Sequence, residues 1–266
     1  MHKDANAQAV LSDIPPFRLF ENIYFVGSTK VSVHVIDTEE GLVMIDTGYP
    51  VMQQQILHSL AALGLDPKRI CAILHSHGHY DHIGNTQFFA AQGGARTYIS
   101  RADNEIVNGT LDLSWARELG EEPLPFFNCD TLVEDGDVFT FGSTRVRCLL
   151  TPGHTDGVLS FLITLPSGRI AAMHGGIGRN SMAAKFLQSY GLSLDCRERF
   201  REGLHRLASE HVDLVLGNHP QQNDTEGKRL AVLQGRSPLD AAEWQRFLAN
   251  AEKKLDEMLK KEASEN

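Results

Sequence analysis

Residues 75 to 82 read HSHGHYDH, four histidines and one aspartate in eight positions, directly after the apolar run ICAIL at 70 to 74. A His-rich tail or linker sits in polar, low-complexity sequence. This cluster follows a short β-branched run bounded by Pro67-Lys68-Arg69, which reads as a buried strand. The histidines therefore lie at the carboxyl end of a core strand, where α/β folds place their sites.

Around this point strand-like and helix-like segments alternate without repeats. Residues 23 to 27, 31 to 37 and 42 to 46 read as strands, with Thr38-Glu39-Glu40-Gly41 as a hairpin turn. Residues 51 to 65 carry apolar side chains at Met52, Ile56, Leu57, Leu60 and Leu63 and stop at Gly64, an amphipathic helix leading into the 70 to 74 strand. The second half repeats the style. Hairpins are expected around Gly142-Ser143 and around Pro166-Ser167-Gly168, a helix over 196 to 208, and a strand over 212 to 220. From Pro238 onward Trp244, Phe247, Leu248, Ala251, Leu255 and Leu259 form a stripe that reads as a terminal helix packed on the body. Two β-rich halves, each with helices, predict an α+β fold of two sheets face to face with helices outside. The expected division is an N-terminal extension over 1–16, the sandwich domain over 17–235 and the C-terminal helix over 236–266.

Composition narrows the function classes. A formal charge of −9 and the lack of a Lys/Arg stripe argue against a nucleic-acid partner. No run of 18 apolar residues exists and the first 15 residues lack a secretory apolar core, so the expectation is no membrane partner and a cytoplasmic or already processed chain. Cys71, Cys129, Cys148 and Cys196 show no C-x-x-C spacing and read as buried free thiols.

Three strand ends bear histidines: the 75 to 82 segment, TPGH at 151 to 154 and GNHP at 217 to 220. His77 and His79, two apart in an extended segment, point to the same side and can share one cation, while Asp81 and His82 fall one turn later and can face a second. His154 would complete a three-His set, and His219 would complete an Asp-His-His set. Each metal then keeps room for a hydroxide or a substrate oxygen. Asp81 would also orient the nucleophile.

At these residues the chain resembles the metallo-β-lactamase superfamily, whose hallmark H-x-H-x-D-H is matched by His77-Gly78-His79-Tyr80-Asp81-His82, followed by His154 in TPGHTDG and by His219. The resemblance covers roughly residues 17 to 225. It implies a four-layer αβ/βα sandwich with two Zn2+ ions at the sheet edge, and it gives Asp46 in MIDTG the task of supporting the metal loop from behind the ligands. His82, the GGIGRN segment and the long final helix look most similar to the third subclass of metallo-β-lactamases. The implied function is hydrolysis of an acyl C–N or C–O bond (lactam, lactone, amide or ester) in a small-molecule substrate by metal-bound hydroxide. An iron-dependent persulfide dioxygenase-type oxidoreductase and a dedicated β-lactamase are the alternatives. A nuclease would need an extra domain or a basic surface, and a non-catalytic module would be expected to lose ligands.

One departure stands out. Many family hydrolases carry a metal-bridging aspartate after the third histidine, and here that position falls at Gly176 in AAMHGGIG. The third subclass also lacks the bridge, but it places small hydroxyl residues where Gly176 and Gly178 stand. Gly176, Tyr190 and Asn223 are candidate substrate contacts, and Asp224 could line the same cleft or begin the next helix. His75 reads as the last strand residue, His34 and His58 as ordinary, and His174 as an unresolved neighbour of the glycines.

Overall fold

The computed structural model describes residues 14–265; residues 1–13 of the expected N-terminal extension lie outside it. Twelve strands form two sheets among the described residues. The first contains β1 (Phe17–Phe20), β2 (Ile23–Phe25), β3 (His34–Thr38), β4 (Gly41–Ile45), β5 (Ile70–Leu74), β6 (Arg96–Ser100) and β7 (Thr131–Val133), neighbours in that order. The second runs β12-β11-β10-β9-β8, with β8 (Val138–Phe141), β9 (Thr144–Leu150), β10 (Leu159–Thr164), β11 (Ile170–His174) and β12 (Leu214–Gly217). The expected hairpins close at Gly41, at Gly142-Ser143 and before Arg169, and each pair is antiparallel. The strands β4 to β7, and β11 with β12, pair in parallel.

Among the described residues nine α-helices accompany these strands: α1 (Gln53–Ala62), α2 (Tyr80–Ile83), α3 (Thr86–Gly93), α4 (Arg101–Val107), α5 (Ala116–Leu119), α6 (Ala184–Ser189), α7 (Cys196–Ala208), α8 (Thr225–Leu233) and α9 (Glu243–Glu265). The four layers follow from the alternation of side chains along each strand. Val43 and Ile45 of β4, Phe161 and Ile163 of β10, Ala171 and Met173 of β11, and Leu214 and Leu216 of β12 face one another between the sheets. Their neighbours Leu42 and Met44 face outward onto Ile56 and Leu60 of α1 and Phe89 of α3. On the far side Leu162, Ala172 and Val215 meet Phe200, Leu204 and Leu207 of α7 and the α9 stripe of Trp244, Phe247, Leu248, Ala251 and Leu255. The Trp244 indole N–H donates to Leu207 O at 3.0 Å, giving the buried ring's polar atom a partner.

The sequence expectations differ from this at the edges. Strands β1, β6 and β7 are not anticipated, because FRLF, RTYIS and TLV are short and carry charged or hydroxyl residues. The helix expected over 51 to 65 is a 3-10 turn, Pro50–Met52, continued by α1, and the strand expected over 212 to 220 is limited to Leu214–Gly217. The halves are stitched beside the last strand. Ser32 N–H donates to Asn218 O at 3.0 Å, and His34 Nε2–H to Gly217 O at 3.2 Å. No described helix is long and apolar enough to cross a membrane.

Candidate metal centre

The strand ends meet at one edge of the sandwich. His77, His79 and His154 form one group and Asp81, His82 and His219 another, each with its ligand atoms within 4.8 Å of one another. The groups adjoin, the rings of His77 and His82 lying 4.2 Å apart, and within the first group those of His79 and His154 lie 4.5 Å apart. All six residues expected to bind metal are therefore brought together, each set drawing on both halves of the chain.

Hydrogen bonds fix which ring nitrogen is free. Asp46, buried at the end of β4 with φ 58°, accepts from Ser76 N–H at 2.7 Å and from Ser76 Oγ–H at 2.7 Å. It also accepts from His82 Nδ1–H at 2.8 Å. With its proton directed to Asp46, Ser76 Oγ accepts from His77 Nδ1–H at 3.0 Å. His154 Nδ1–H donates to Gly178 O at 2.8 Å and His219 Nδ1–H to Lys30 O at 2.6 Å. In each of these four rings Nε2 is the nitrogen left to face a cation, the arrangement by which outer partners orient metal-binding imidazoles. His77 Nε2 and His82 Nε2 are buried and have no hydrogen-bond partner. Orphaned buried acceptors are costly, and a cation at each set would satisfy them. The donor sets fit two divalent ions of the kind imidazole and carboxylate bind.

Electrostatics agree with this fit. Burial, reinforced by neighbouring imidazoles, holds His77 and His79 well below the ordinary histidine pKa, and burial lowers His154 to about 4. Neutral imidazole is the ligating form. Burial opposes ionisation of Asp81, yet His82, His219 and His79 outweigh it and keep the carboxyl well below its usual range. His82 is the exception: burial opposes its charge, but Asp81 and Asp46 prevail and raise it to about 10, so a cation there has a proton to displace.

The candidate substrate contacts differ in where they lie. Gly176 does not line the metal cleft, and a Cβ there would lie 2.7 Å from His154 Cδ2, so any side chain at the bridging position displaces a candidate ligand. Gly178 reaches the cleft, and its carbonyl holds His154. Tyr190 turns away: its ring packs on Phe186 at 4.6 Å and its hydroxyl donates to Glu118. Asn223 is buried and folded back on the chain, its amide donating to Val215 O at 2.9 Å and its oxygen accepting from Thr225 Oγ–H at 2.8 Å. Proximity to His219 in sequence did not carry it into the cleft. Asp224 caps α8 by accepting from Gly227 N–H. His75 hydrogen-bonds Thr86 and lies outside both sets.

His174 is also outside the sets. Its Nδ1 accepts from Gly176 N–H at 3.1 Å, its ring lies 5.7 Å from Phe200, and burial lowers its pKa to about 3. His174→Ala is expected to keep the full metal content while losing about 2 to 4 kcal/mol of stability from the cavity and the unpaired Gly176 N–H. Loss of one metal equivalent by elemental analysis would instead make His174 a ligand.

The cleft itself, about 370 Å³, is walled in part by residues the sequence did not single out. Trp115, in the left-handed region at φ 70°, sets its ring 5.6 Å from His79 and 4.7 Å from Phe186, joining the histidine loop to α6 beside the metal sets. Apart from Asp81 and the histidines, the charged residues lining the cleft are Arg179 and Lys254, and the Arg179 guanidinium donates to Lys254 O at 2.8 Å. The terminal helix α9 thus contributes to the site as well as to the core.

Comparison with known proteins places this geometry. Among curated relatives, the chain is 32% identical over 114 residues to a hydroxyacylglutathione hydrolase of Gloeobacter violaceus, covering 42% of this chain and 36% of that one. It is 27% identical over 153 residues to an N-acyl homoserine lactonase of a Bacillus species, covering 49% and 56%. The chain thus spans between about a third and just over half of these two proteins. Among solved structures, BJP-1, a subclass B3 metallo-beta-lactamase of Bradyrhizobium japonicum, shares the fold with a TM-score of 0.81 at 24% identity over 96% of this chain and 97% of that one. Residues 26–171, more than half of the 266, match the family model described as the metallo-beta-lactamase superfamily. With that match and both His/Asp clusters in place, the chain belongs to the metallo-beta-lactamase superfamily.

Proposed function

We propose that this metallo-hydrolase uses two zinc ions to cleave an acyl C–N or C–O bond in a small anionic substrate. The observation that carries the reading is the pair of adjoining ligand sets at the base of one cleft whose remaining charged residues are cationic. When bound, zinc lowers the pKa of a water towards 7 and polarises a carbonyl. The chain supplies the rest. Asp81, kept ionised, would supply one ligand of the second set and orient the attacking water through its proton. Asp46 fixes the tautomers of His77 and His82. Arg179 and Lys254 offer counter-charge to a substrate carboxylate, and Tyr49, Trp115 and Leu119 offer it apolar surface.

The likeness to a lactonase and to subclass B3 chains favours lactones and lactams as the first classes to examine. Gly176 and Gly178 give a lactam carboxylate no hydroxyl donors, so turnover of a chromogenic cephalosporin is expected to be weak. A kcat/KM near 10⁶ M⁻¹s⁻¹, well inside the usual enzyme range of about 10⁴ to 10⁸, would make antibiotic hydrolysis the function. The deciding test is a screen of metal-quantified protein against lactone, lactam, thioester and phosphodiester substrates. Lys254→Gln is expected to raise KM about tenfold for carboxylate-bearing substrates and to spare neutral analogues, since a hydrogen bond to a charged group contributes about 1.5 to 3 kcal/mol. Protein isolated with one iron and no zinc would replace this reading with the dioxygenase-type one.

A further inference from the structure

Asp103 belongs to neither ligand set and to no motif, yet it is fully buried in α4 beside the metal centre. Its Oδ2 accepts from Gly78 N–H at 2.8 Å and from Thr155 Oγ–H at 2.7 Å, and its Oδ1 accepts from Gly157 N–H at 2.9 Å. None of these donors lies in its own helix. Gly78 sits between His77 and His79, and Thr155 directly follows His154. We infer that Asp103 is a positioning residue that holds the three histidines of one metal set in register across the two halves of the chain.

The surroundings are built for this contact. A Cβ on Gly157 would lie 2.5 Å from Asp103 Oδ1, and one on Gly78 would lie 3.0 Å from Ile106 Cβ, so glycine at both places lets the two loops close on α4. The carboxylate is aimed from its own side as well, because Ser100 Oγ caps α4 by accepting from Asp103 N–H at 3.2 Å. Asp46 grips the same histidine loop through Ser76 and His82, and the two carboxylates share no donor. A carboxylate that receives three donors cannot be replaced by an amide without opposing one N–H to another. The inference rests on the reading of His77, His79 and His154 as a metal set.

The test is a chelator-competition titration with zinc. In Asp103→Asn the affinity of one equivalent is expected to fall about 10- to 100-fold, the usual cost of losing an outer partner of a metal site, while the other stays unchanged. In a His154→Ala background, where the three-His set is already broken, Asp103→Asn should leave the remaining equivalent unaffected. Thr155→Val should reproduce part of the loss and Thr155→Ser should restore it, and this pair carries the test if Asp103→Asn does not fold. Equal weakening of both equivalents, or two equivalents at parent affinity in Asp103→Asn and Thr155→Val, overturns the assignment of Asp103 alone. A parent protein that binds no zinc overturns it together with the metal reading beneath it.

Discussion

Stripping both metals with a chelator is expected to lower the melting temperature by about 10 to 20 °C and to abolish hydrolysis, with zinc restoring both. An ion that binds only the folded chain stabilises it by about 2.7 kcal/mol when free metal is a hundredfold above Kd, so two ions contribute about 5 kcal/mol. For a chain of this size each kcal/mol moves the midpoint by about 2 to 4 °C. The physical source is visible in His77 Nε2 and His82 Nε2, buried and without hydrogen-bond partners, which the ions would complete. Calorimetry of matched stripped and reloaded samples checks this. Unchanged melting would mean that these imidazoles do not hold metal in the folded chain.

The second large effect concerns Asp46. Asp46→Asn tolerates the left-handed backbone at φ 58°, but its amide has one oxygen where the carboxylate has two, and with that oxygen on Ser76 N–H its NH2 is set against Ser76 Oγ and His82 Nδ1. His82 then loses the acceptor for Nδ1–H, and its other tautomer, with a proton on Nε2, can donate to Asp81 Oδ2, 3.4 Å away. That proton occupies the lone pair the metal needs. Zinc affinity at the Asp81, His82 and His219 set is expected to fall about 10- to 100-fold, with activity falling at least as far. Asp46→Ala is expected to be worse, because three buried donors lose their acceptor at about 1 to 3 kcal/mol each. Two zinc equivalents at parent affinity in Asp46→Asn would show that the tautomers are set elsewhere.

The residues of the two clusters were legible in sequence because strand ends bearing histidines are local signals, and the spacing of His77, His79, Asp81 and His82 already divides them into two sets. Asp46 was legible only through family resemblance, since nothing in MIDTG by itself points to His82. Asn223 and Tyr190 are near the site along the chain, but their side chains are engaged elsewhere: Asn223 closes a turn and Tyr190 packs on Phe186. Trp115, Lys254 and Asp103 had no readable signal. Lys254 reads as one more charge on an amphipathic helix, and Asp103 as a polar residue in RADNEIV. Their positions depend on how α9 and α4 dock. Of the fold, the layers followed from apolar alternation, whereas β6 and β7 are too short and too polar to announce themselves.

Each metal set takes residues from before and after the irregular segment at 121–129. A chain nicked there would leave the second sheet whole on one piece and detach only the edge strand β7 from the first, whose other six strands precede the nick. The two pieces would carry complementary fractions of both sites: His77, His79, Asp81 and His82 on one, His154 and His219 on the other. Neither piece could close a coordination sphere alone. For such a divided molecule, reassembly and metal loading would be a single event, with the ions acting as the joint between the parts.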